Sequence, residues 1–96
     1  MSGSDVIRMP KRFDYSASGE FNAAFGAALK NGASESKTVL LDCSQMEYID
    51  SAGIGLLVMS HKKAETNQTK MSIINLKPSA REILFLANLQ KLIDIK

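Results

Sequence analysis

The chain has one cysteine, no tryptophan and no long apolar run. The scarcity of cysteine and the lack of long apolar runs narrow the class of protein to which it can belong. Its one cysteine, Cys43, cannot form an internal disulfide, and its place at the end of an apolar stretch is typical of a small buried side chain in a reducing compartment. No apolar run approaches the length of a membrane span, and residues 1–4 are polar, unlike a signal peptide. We therefore expect a cytoplasmic protein without a membrane partner.

Charge of one sign is not concentrated in any part of the chain. Twelve Lys and Arg residues are interspersed with ten Asp and Glu residues, for a formal net charge of +2. Nucleic-acid binding needs a clustered basic face, so we expect no nucleic-acid partner. No cluster has the spacing of metal ligands, and we expect neither a metal nor a cofactor. A single Cys43 and a single His61, without a third residue to orient them, do not indicate an enzyme.

The pattern of apolar residues predicts one domain over residues 1–96, with residues 1–4 as a flexible N-terminus. A hydrophobic content of 45% suffices for one core. Stretches with strand character alternate with stretches of helical periodicity. Strands are predicted at 6–9, 11–14, 38–42 and 70–76, and helices at 18–30, 51–65 and from residue 78 or 79 onward. This order indicates an α/β layer fold, with a mixed, mostly parallel sheet of four or five strands and three or four helices.

Local signals predict where several of these elements end. Asn31-Gly32 is expected to stop the first helix, followed by a polar loop at 33–37. Asn88 is a plausible left-handed terminator of the third helix, whose packing stripe is expected to be Ile83, Leu86 and Ala87. Residues 92–95 fit either a closing strand or a short helix.

The most informative stretch is Asp50-Ser51, where an apolar segment gives way to the second helix. The free N–H groups and dipole of a helix N-terminus favour added negative charge, so a serine there is well placed for phosphorylation. Ser51 is equally compatible with a purely structural role as the N-cap. If Asp50 is the cap instead, Ser51 lies in the first turn with its hydroxyl free.

The second helix carries apolar residues on two opposite sides. Its periodicity places Ile54, Leu57, Val58 and His61 along one side, and Ala52, Leu56 and Met59 on the other. Burial of both sides within the domain is one interpretation. The interpretation that we favour leaves the side next to Ser51 partly exposed for docking. The predicted contact surface on this helix comprises Asp50, Ala52, Leu56, Met59 and Lys63.

The two glycines near the start of the second helix, Gly53 and Gly55, do not make a phosphate-binding loop. The Lys-Ser or Lys-Thr pair of a P-loop is absent, and both glycines fall inside the predicted helix. Close packing of the helix is the better explanation for them.

Four segments together resemble the STAS domain family of bacterial anti-sigma factor antagonists and sulfate-transporter tails. The likeness is carried by Val-Leu-Leu-Asp at 39–42, Ile-Asp-Ser-Ala-Gly-Ile-Gly-Leu-Leu at 49–57, Ile-Ile-Asn-Leu-Lys-Pro at 73–78 and Ala-Asn-Leu at 87–89. The resemblance implies that Ser51 is the phosphoacceptor and Asp50 its acidic neighbour. In the element after the first strand, which often meets the partner, only Asp14 matches the family cleanly.

The resemblance also implies the partners. They are a serine kinase or anti-sigma factor of the GHKL type and a PP2C-type phosphatase. The segment Arg-Phe-Asp-Tyr at 12–15 is similar to the corresponding segment of stand-alone STAS regulators of biofilm pathways. In those pathways the kinase and the phosphatase belong to one response-regulator protein. A monomer or weak dimer is expected. The rival hypothesis is a ligand-sensing or scaffolding module in which Ser51 is only structural.

Overall fold

A computed structural model describes residues 4–30 and 37–96 of the chain. These residues form three α-helices and six strands that alternate, and short 3-10 turns follow β2 and α3. The helices are α1 (Ser18–Lys30), α2 (Ser51–Thr66) and α3 (Pro78–Leu86). The strands are β1 (Ser4–Arg8), β2 (Arg12–Phe13), β3 (Lys37–Asp42), β4 (Tyr48–Ile49), β5 (Thr69–Ile74) and β6 (Asp94–Ile95). This confirms the predicted α/β layer fold.

The main sheet has four strands in the order β1-β3-β5-β6, and β2 and β4 form a separate two-stranded sheet. Every strand pair in the described residues is parallel. Parallel neighbours need long crossovers, and α2 lies in the crossover that connects β3 to its neighbour β5. The prediction of a mostly parallel sheet is confirmed, with β3 central between β1 and β5.

The core lies between the main sheet and the helices. Leu41 of β3 pairs in register with Ile7 of β1 and Ile73 of β5, and both Leu41 and Ile73 are fully buried. Phe21 of α1 packs edge-on against Phe13 of β2, with ring centroids 5.1 Å apart. This contact joins β2 of the small sheet to α1 within the core.

Several predicted boundaries differ from the structure. Ser4 belongs to β1, and residues 1–3 of the predicted flexible N-terminus lie outside the described residues. Within residues 92–95, which fitted either a strand or a short helix, Asp94 and Ile95 form a closing strand that pairs with β5. The expected stop at Asn31-Gly32 and most of the loop at 33–37 lie outside the described residues. Asn88 has a φ of 61°, which confirms its left-handed conformation at the end of α3.

The packing stripe predicted for α3 is wrong. The side chains that α3 buries are Ala80 and Leu84, while Ile83 is 38% and Leu86 is 78% exposed. The helix has only nine residues, and its inward line is set by an i, i+4 pair beginning near Pro78. The third residue of the predicted stripe, Ala87, is exposed as well.

Candidate phosphoacceptor site

The start of α2 is capped by Asp50 and not by Ser51. Asp50 has extended backbone angles, and its carboxylate accepts a hydrogen bond of 3.0 Å from the Gly53 backbone N–H. The Asp50 carbonyl also accepts the first helical hydrogen bond, from Ile54 N–H, at 2.9 Å. Ser51 is therefore the first residue of the helix. It is exposed, and its hydroxyl makes no hydrogen bond with any residue that the structure describes.

Gly53 sets how closely α2 approaches the small sheet. A Cβ atom at this position would overlap the Phe13 carbonyl oxygen of β2 and would lie 2.9 Å from Ile49 Cγ1 of β4. The predicted explanation of close helix packing thus holds for Gly53. It does not hold for Gly55, because a Cβ there would meet nothing within 4 Å.

A chain of polar contacts connects the two short strands next to Ser51. The Arg12 guanidinium lies 2.7 Å from an Asp14 carboxylate oxygen and 4.3 Å from the centre of the Tyr48 ring. The Tyr48 hydroxyl in turn donates to Asp50 at 3.4 Å. Because β2 and β4 pair in register at Arg12 and Tyr48, Asp14 and Asp50 follow at the same end of the small sheet. The two predicted acidic contact residues are therefore brought together.

Asp14 has a structural task that the sequence did not reveal. Its carboxylate caps the 3-10 turn at Tyr15–Ala17 by accepting the Ser16 backbone N–H at 3.0 Å. The hydrogen bond from the Ser16 hydroxyl, and then the bond from Arg12, hold the pKa of Asp14 below its usual value. Asp14 is therefore a charged, internally bonded group at the edge of the site.

The inward line of α2 consists of small residues and one leucine. The residues of α2 that are buried are Gly53, Leu57, Ser60 and Ala64. Of the predicted core stripe, only Leu57 is fully buried, and Ile54, Val58 and His61 are half-buried at its side. Small residues on the inward line let the helix lie close to β5.

The outward side of α2 holds the predicted contact surface. Met59 is 61% exposed and Lys63 is exposed, whereas Ala52 and Leu56 are half-buried. Leu56 also packs against the core. The predicted surplus stripe is thus partly exposed, most fully at Met59.

Gly55 lies on the same side of α2 as Ser51 and Met59, and the predicted contact surface did not include it. It is exposed, and it lies one helical turn after Ser51 and one before Met59. A glycine inside a helix lowers its stability, and no close packing explains this one. Its spacing of four residues from Ser51 is the signal in the sequence that could have drawn attention to it.

Cys43 does not have the properties of a nucleophile. It is buried, and desolvation, followed by the charge of Asp42, raises the pKa of its thiol to about 12. A reactive cysteine needs the thiolate at neutral pH. Its sulfur lies 3.8 Å from the Leu41 carbonyl oxygen, and the His61 ring contacts Glu65 at 3.6 Å.

The described residues show neither a metal-binding cluster nor a membrane-spanning helix. They contain no group of three or more His, Cys, Asp or Glu residues arranged to hold a metal ion. Every helix among them is too short or too polar to span a lipid bilayer.

The chain belongs to the STAS domain family, whose pattern matches residues 3–96. A STAS-domain containing protein of Pseudomonas aeruginosa strain UCBPP-PA14 is 27% identical over 90 residues, which cover 94% of this chain and 85% of that protein. The resemblance seen in the sequence is confirmed.

Solved structures of the same family share the fold. An anti-sigma-factor antagonist domain protein from Planctomyces limnophilus is 21% identical and has a TM-score of 0.81, over 98% of this chain and 81% of that one. The Bacillus cell fate determinant SpoIIAA in its phosphorylated form is also 21% identical, with a TM-score of 0.69 over 100% and 85% of the two chains. The fold is therefore that of anti-sigma factor antagonists.

Proposed function

We propose that this chain is a non-enzymatic regulatory module of the anti-sigma factor antagonist type, switched by reversible phosphorylation of Ser51. The observation that carries the proposal is the position of Ser51 as an exposed first helical residue, next to a cap made by Asp50. Because the cap does not depend on Ser51, a phosphate can be added without loss of the hydrogen bond that starts α2. The helix N-terminus also favours the added negative charge.

The proposed partners are a GHKL-type serine kinase, which binds and phosphorylates the module, and a PP2C-type phosphatase that removes the phosphate. The similarity to SpoIIAA, which is known in a phosphorylated and an unphosphorylated form, supports this assignment. The kinase and phosphatase are proposed to belong to one response-regulator protein, and the pathway is proposed to act in the cytoplasm.

The contact surface would combine the acidic end of the small sheet with the outward side of α2. It comprises Asp14, Asp50, Ala52, Leu56, Met59 and Lys63. Phosphorylation adds roughly −1.5 to −2 charges beside Asp50. At about 5 Å and an effective dielectric near 20, each unit charge would repel a partner carboxylate by roughly 3 kcal/mol before screening. Half of that energy is about tenfold in affinity, which suffices to release a partner.

The experiment is to measure binding of the purified kinase domain to wild type, Ser51→Ala and Ser51→Asp. We expect Ser51→Ala to bind the kinase domain as tightly as wild type and Ser51→Asp to bind it roughly tenfold more weakly. Incubation with ATP should add one phosphate, mapped to Ser51 by mass spectrometry. Equal affinity of both variants for a kinase that phosphorylates the wild type would refute the switch.

One observation favours the rival function of ligand sensing. A cavity of about 290 Å³ lies between the end of β1 and α1, lined by Ile7, Arg8, Met9, Pro10, Ala17, Glu20, Phe21, Ala24 and Gln45. This volume is at the lower end of the usual range for small-molecule sites. Native mass measurement after purification from the source cells separates the two hypotheses, because a stoichiometric small molecule supports the rival and a phosphate on Ser51 supports the switch.

A further inference from the structure

A groove occupies the outward side of the second half of α2, and we refer to it as the lysine groove. It has a volume of about 470 Å³ and is lined by Met59, Lys62, Lys63, Thr66 and Asn67. Met59 is the most exposed large apolar residue of this helix, with 61% of its surface accessible. An apolar side chain surrounded by polar and charged ones matches the apolar centre and polar rim of protein contact surfaces.

The two lysines of the groove have no acidic partner among the described residues. No carboxylate of residues 4–30 or 37–96 lies within salt-bridge distance of Lys62 or Lys63. The acidic residue closest to them on the helix, Glu65, contacts His61 at 3.6 Å instead. Two ammonium groups beside an exposed methionine therefore have nothing in this part of the fold to neutralise them.

The helix terminus explains only part of this arrangement. A lysine in the last turn interacts favourably with the helix dipole, and Lys63 lies in that turn. The terminal carbonyl groups, however, already have partners, since Thr66 Oγ1 donates to the Lys62 carbonyl at 3.0 Å and Asn67 Nδ2 to the Lys63 carbonyl at 2.8 Å. The dipole accounts neither for the second lysine nor for the exposure of Met59.

The groove is continuous with the proposed phosphoacceptor surface. Ser51, Gly55 and Met59 follow at steps of four residues along one side of the helix, so Met59 lies about 12 Å from Ser51 along the axis. A partner that covers Ser51 and Gly55 and extends by two helical turns would reach both lysines.

We propose that the protein docking on α2 presents acidic side chains to Lys62 and Lys63, together with an apolar side chain in contact with Met59. This inference rests on the proposed function and names the chemistry of its partner surface. The two ends of α2 then act differently: the lysines attract the partner in both states, and the phosphate repels it at the other end. Complementary charge at the rim mainly raises the rate of association and the selectivity for the partner.

The first test uses the purified kinase domain that phosphorylates Ser51. We expect the double variant Lys62→Glu/Lys63→Glu to bind it at least about tenfold more weakly, with a smaller loss for Lys62→Gln/Lys63→Gln. The matched control is Lys70→Glu/Lys91→Glu, which makes the same charge change at two exposed lysines outside α2. Equal loss in the two Glu doubles would overturn the proposal, because it would reflect net charge alone. Circular dichroism spectra establish that each variant is folded.

The second test needs no kinase. A synthetic amphipathic peptide of Leu and Glu, and its counterpart with Lys in place of Glu, are titrated into the isotope-labelled chain. We expect the acidic peptide alone to shift the amide signals of Met59, Lys62 and Lys63, and Lys62→Glu/Lys63→Glu to abolish the shifts. Equal shifts with both peptides, or shifts elsewhere only, would overturn the proposal. If the wild-type chain forms a dimer that Lys62→Glu/Lys63→Glu abolishes, the groove binds a second copy of this chain. That result would also overturn the proposal.

The outcomes also separate this inference from the proposed function. If Ser51→Asp releases the kinase and the lysine variants do not weaken binding, the switch stands and the acidic partner surface is wrong. If the lysine variants weaken binding and Ser51→Asp does not, the docking surface stands and the phosphorylation switch is wrong.

Discussion

The Asp50 carboxylate accepts the Gly53 backbone N–H at 3.0 Å, and this one bond determines the chemistry available to the neighbouring serine. An N-cap serine would use its own oxygen as a hydrogen-bond acceptor at the helix start. Since Asp50 holds that position, the Ser51 hydroxyl is left at the surface. The same bond involves the residue whose lack of a side chain lets α2 meet the small sheet, so the cap and the close packing are fixed together.

Alanine substitution should distinguish the cap from its neighbour. Asp50→Ala removes the acceptor of the Gly53 N–H and should lower the free energy of unfolding by about 1 kcal/mol. Ser51→Ala removes only an unbonded hydroxyl and should change stability by less than about 0.5 kcal/mol. Urea unfolding followed by circular dichroism measures both. A larger loss for Ser51→Ala than for Asp50→Ala would mean that Ser51 is the true cap.

The two glycines of α2 should respond to alanine in opposite directions. Gly53→Ala places a methyl group against the Phe13 carbonyl and Ile49, and should destabilise the fold by about 1 to 3 kcal/mol. Gly55→Ala meets nothing within 4 Å and should stabilise it by roughly 0.5 to 1 kcal/mol through better helix propensity. The melting temperatures of the two variants, each compared with wild type, give the signs directly. Destabilisation by Gly55→Ala would show that a methyl group at this position collides with neighbouring atoms.

Sequence patterning predicted the fold well where long stretches carried one clear period. The bounds of α1 agree with the prediction at both ends, and α2 was predicted within one residue. The short α3 was harder, because nine residues allow two apolar lines at similar spacing. The line of Ala80 and Leu84 faces inward, although the larger side chains of Ile83 and Leu86 gave the stronger pattern.

The site was predictable in its local part and not in its tertiary part. The sequence pointed to Asp50 and Ser51 from spacing at a helix start, and it left open which of them is the cap. The contact between Arg12 and Tyr48 depends on the parallel pairing of β2 and β4, two strands of two residues each. Strands of two residues have no periodicity, so no pattern in the sequence predicts that these two side chains are in contact.

Acid should remove a specific contribution to stability at the end of β3. The Asp42 carboxylate accepts the Ser44 backbone N–H at 3.0 Å and Asn75 Nδ2 at 3.2 Å, and these bonds, the Ser44 N–H first, lower its pKa from 3.8. A carboxyl whose pKa is lower in the folded state stabilises the fold above pH 3.8, and this contribution is lost as the pH falls through the folded value.

The test compares wild type with Asp42→Asn by urea unfolding across this range. The difference in unfolding free energy should be largest near neutral pH and should narrow as the pH falls below 3.8. Asn75→Gly removes one of the donors and, because glycine tolerates the φ of 62° at that position, should reproduce part of the effect. A gap for Asp42→Asn that does not vary with pH would contradict the assignment.

A long side chain at Gly55 should weaken docking without weakening the fold. An exposed helical glycine without a packing partner leaves room for another molecule to approach the helix backbone between Ser51 and Met59. Gly55→Gln adds a long, uncharged side chain with good helix propensity, so the fold should be at least as stable as wild type. Binding of the kinase domain should nevertheless fall by roughly tenfold, because the side chain stands in the contact surface. The matched control is Ala23→Gln, at an exposed position of α1, which should leave binding unchanged. If Gly55→Gln binds as tightly as wild type, the partner does not cover this turn of α2.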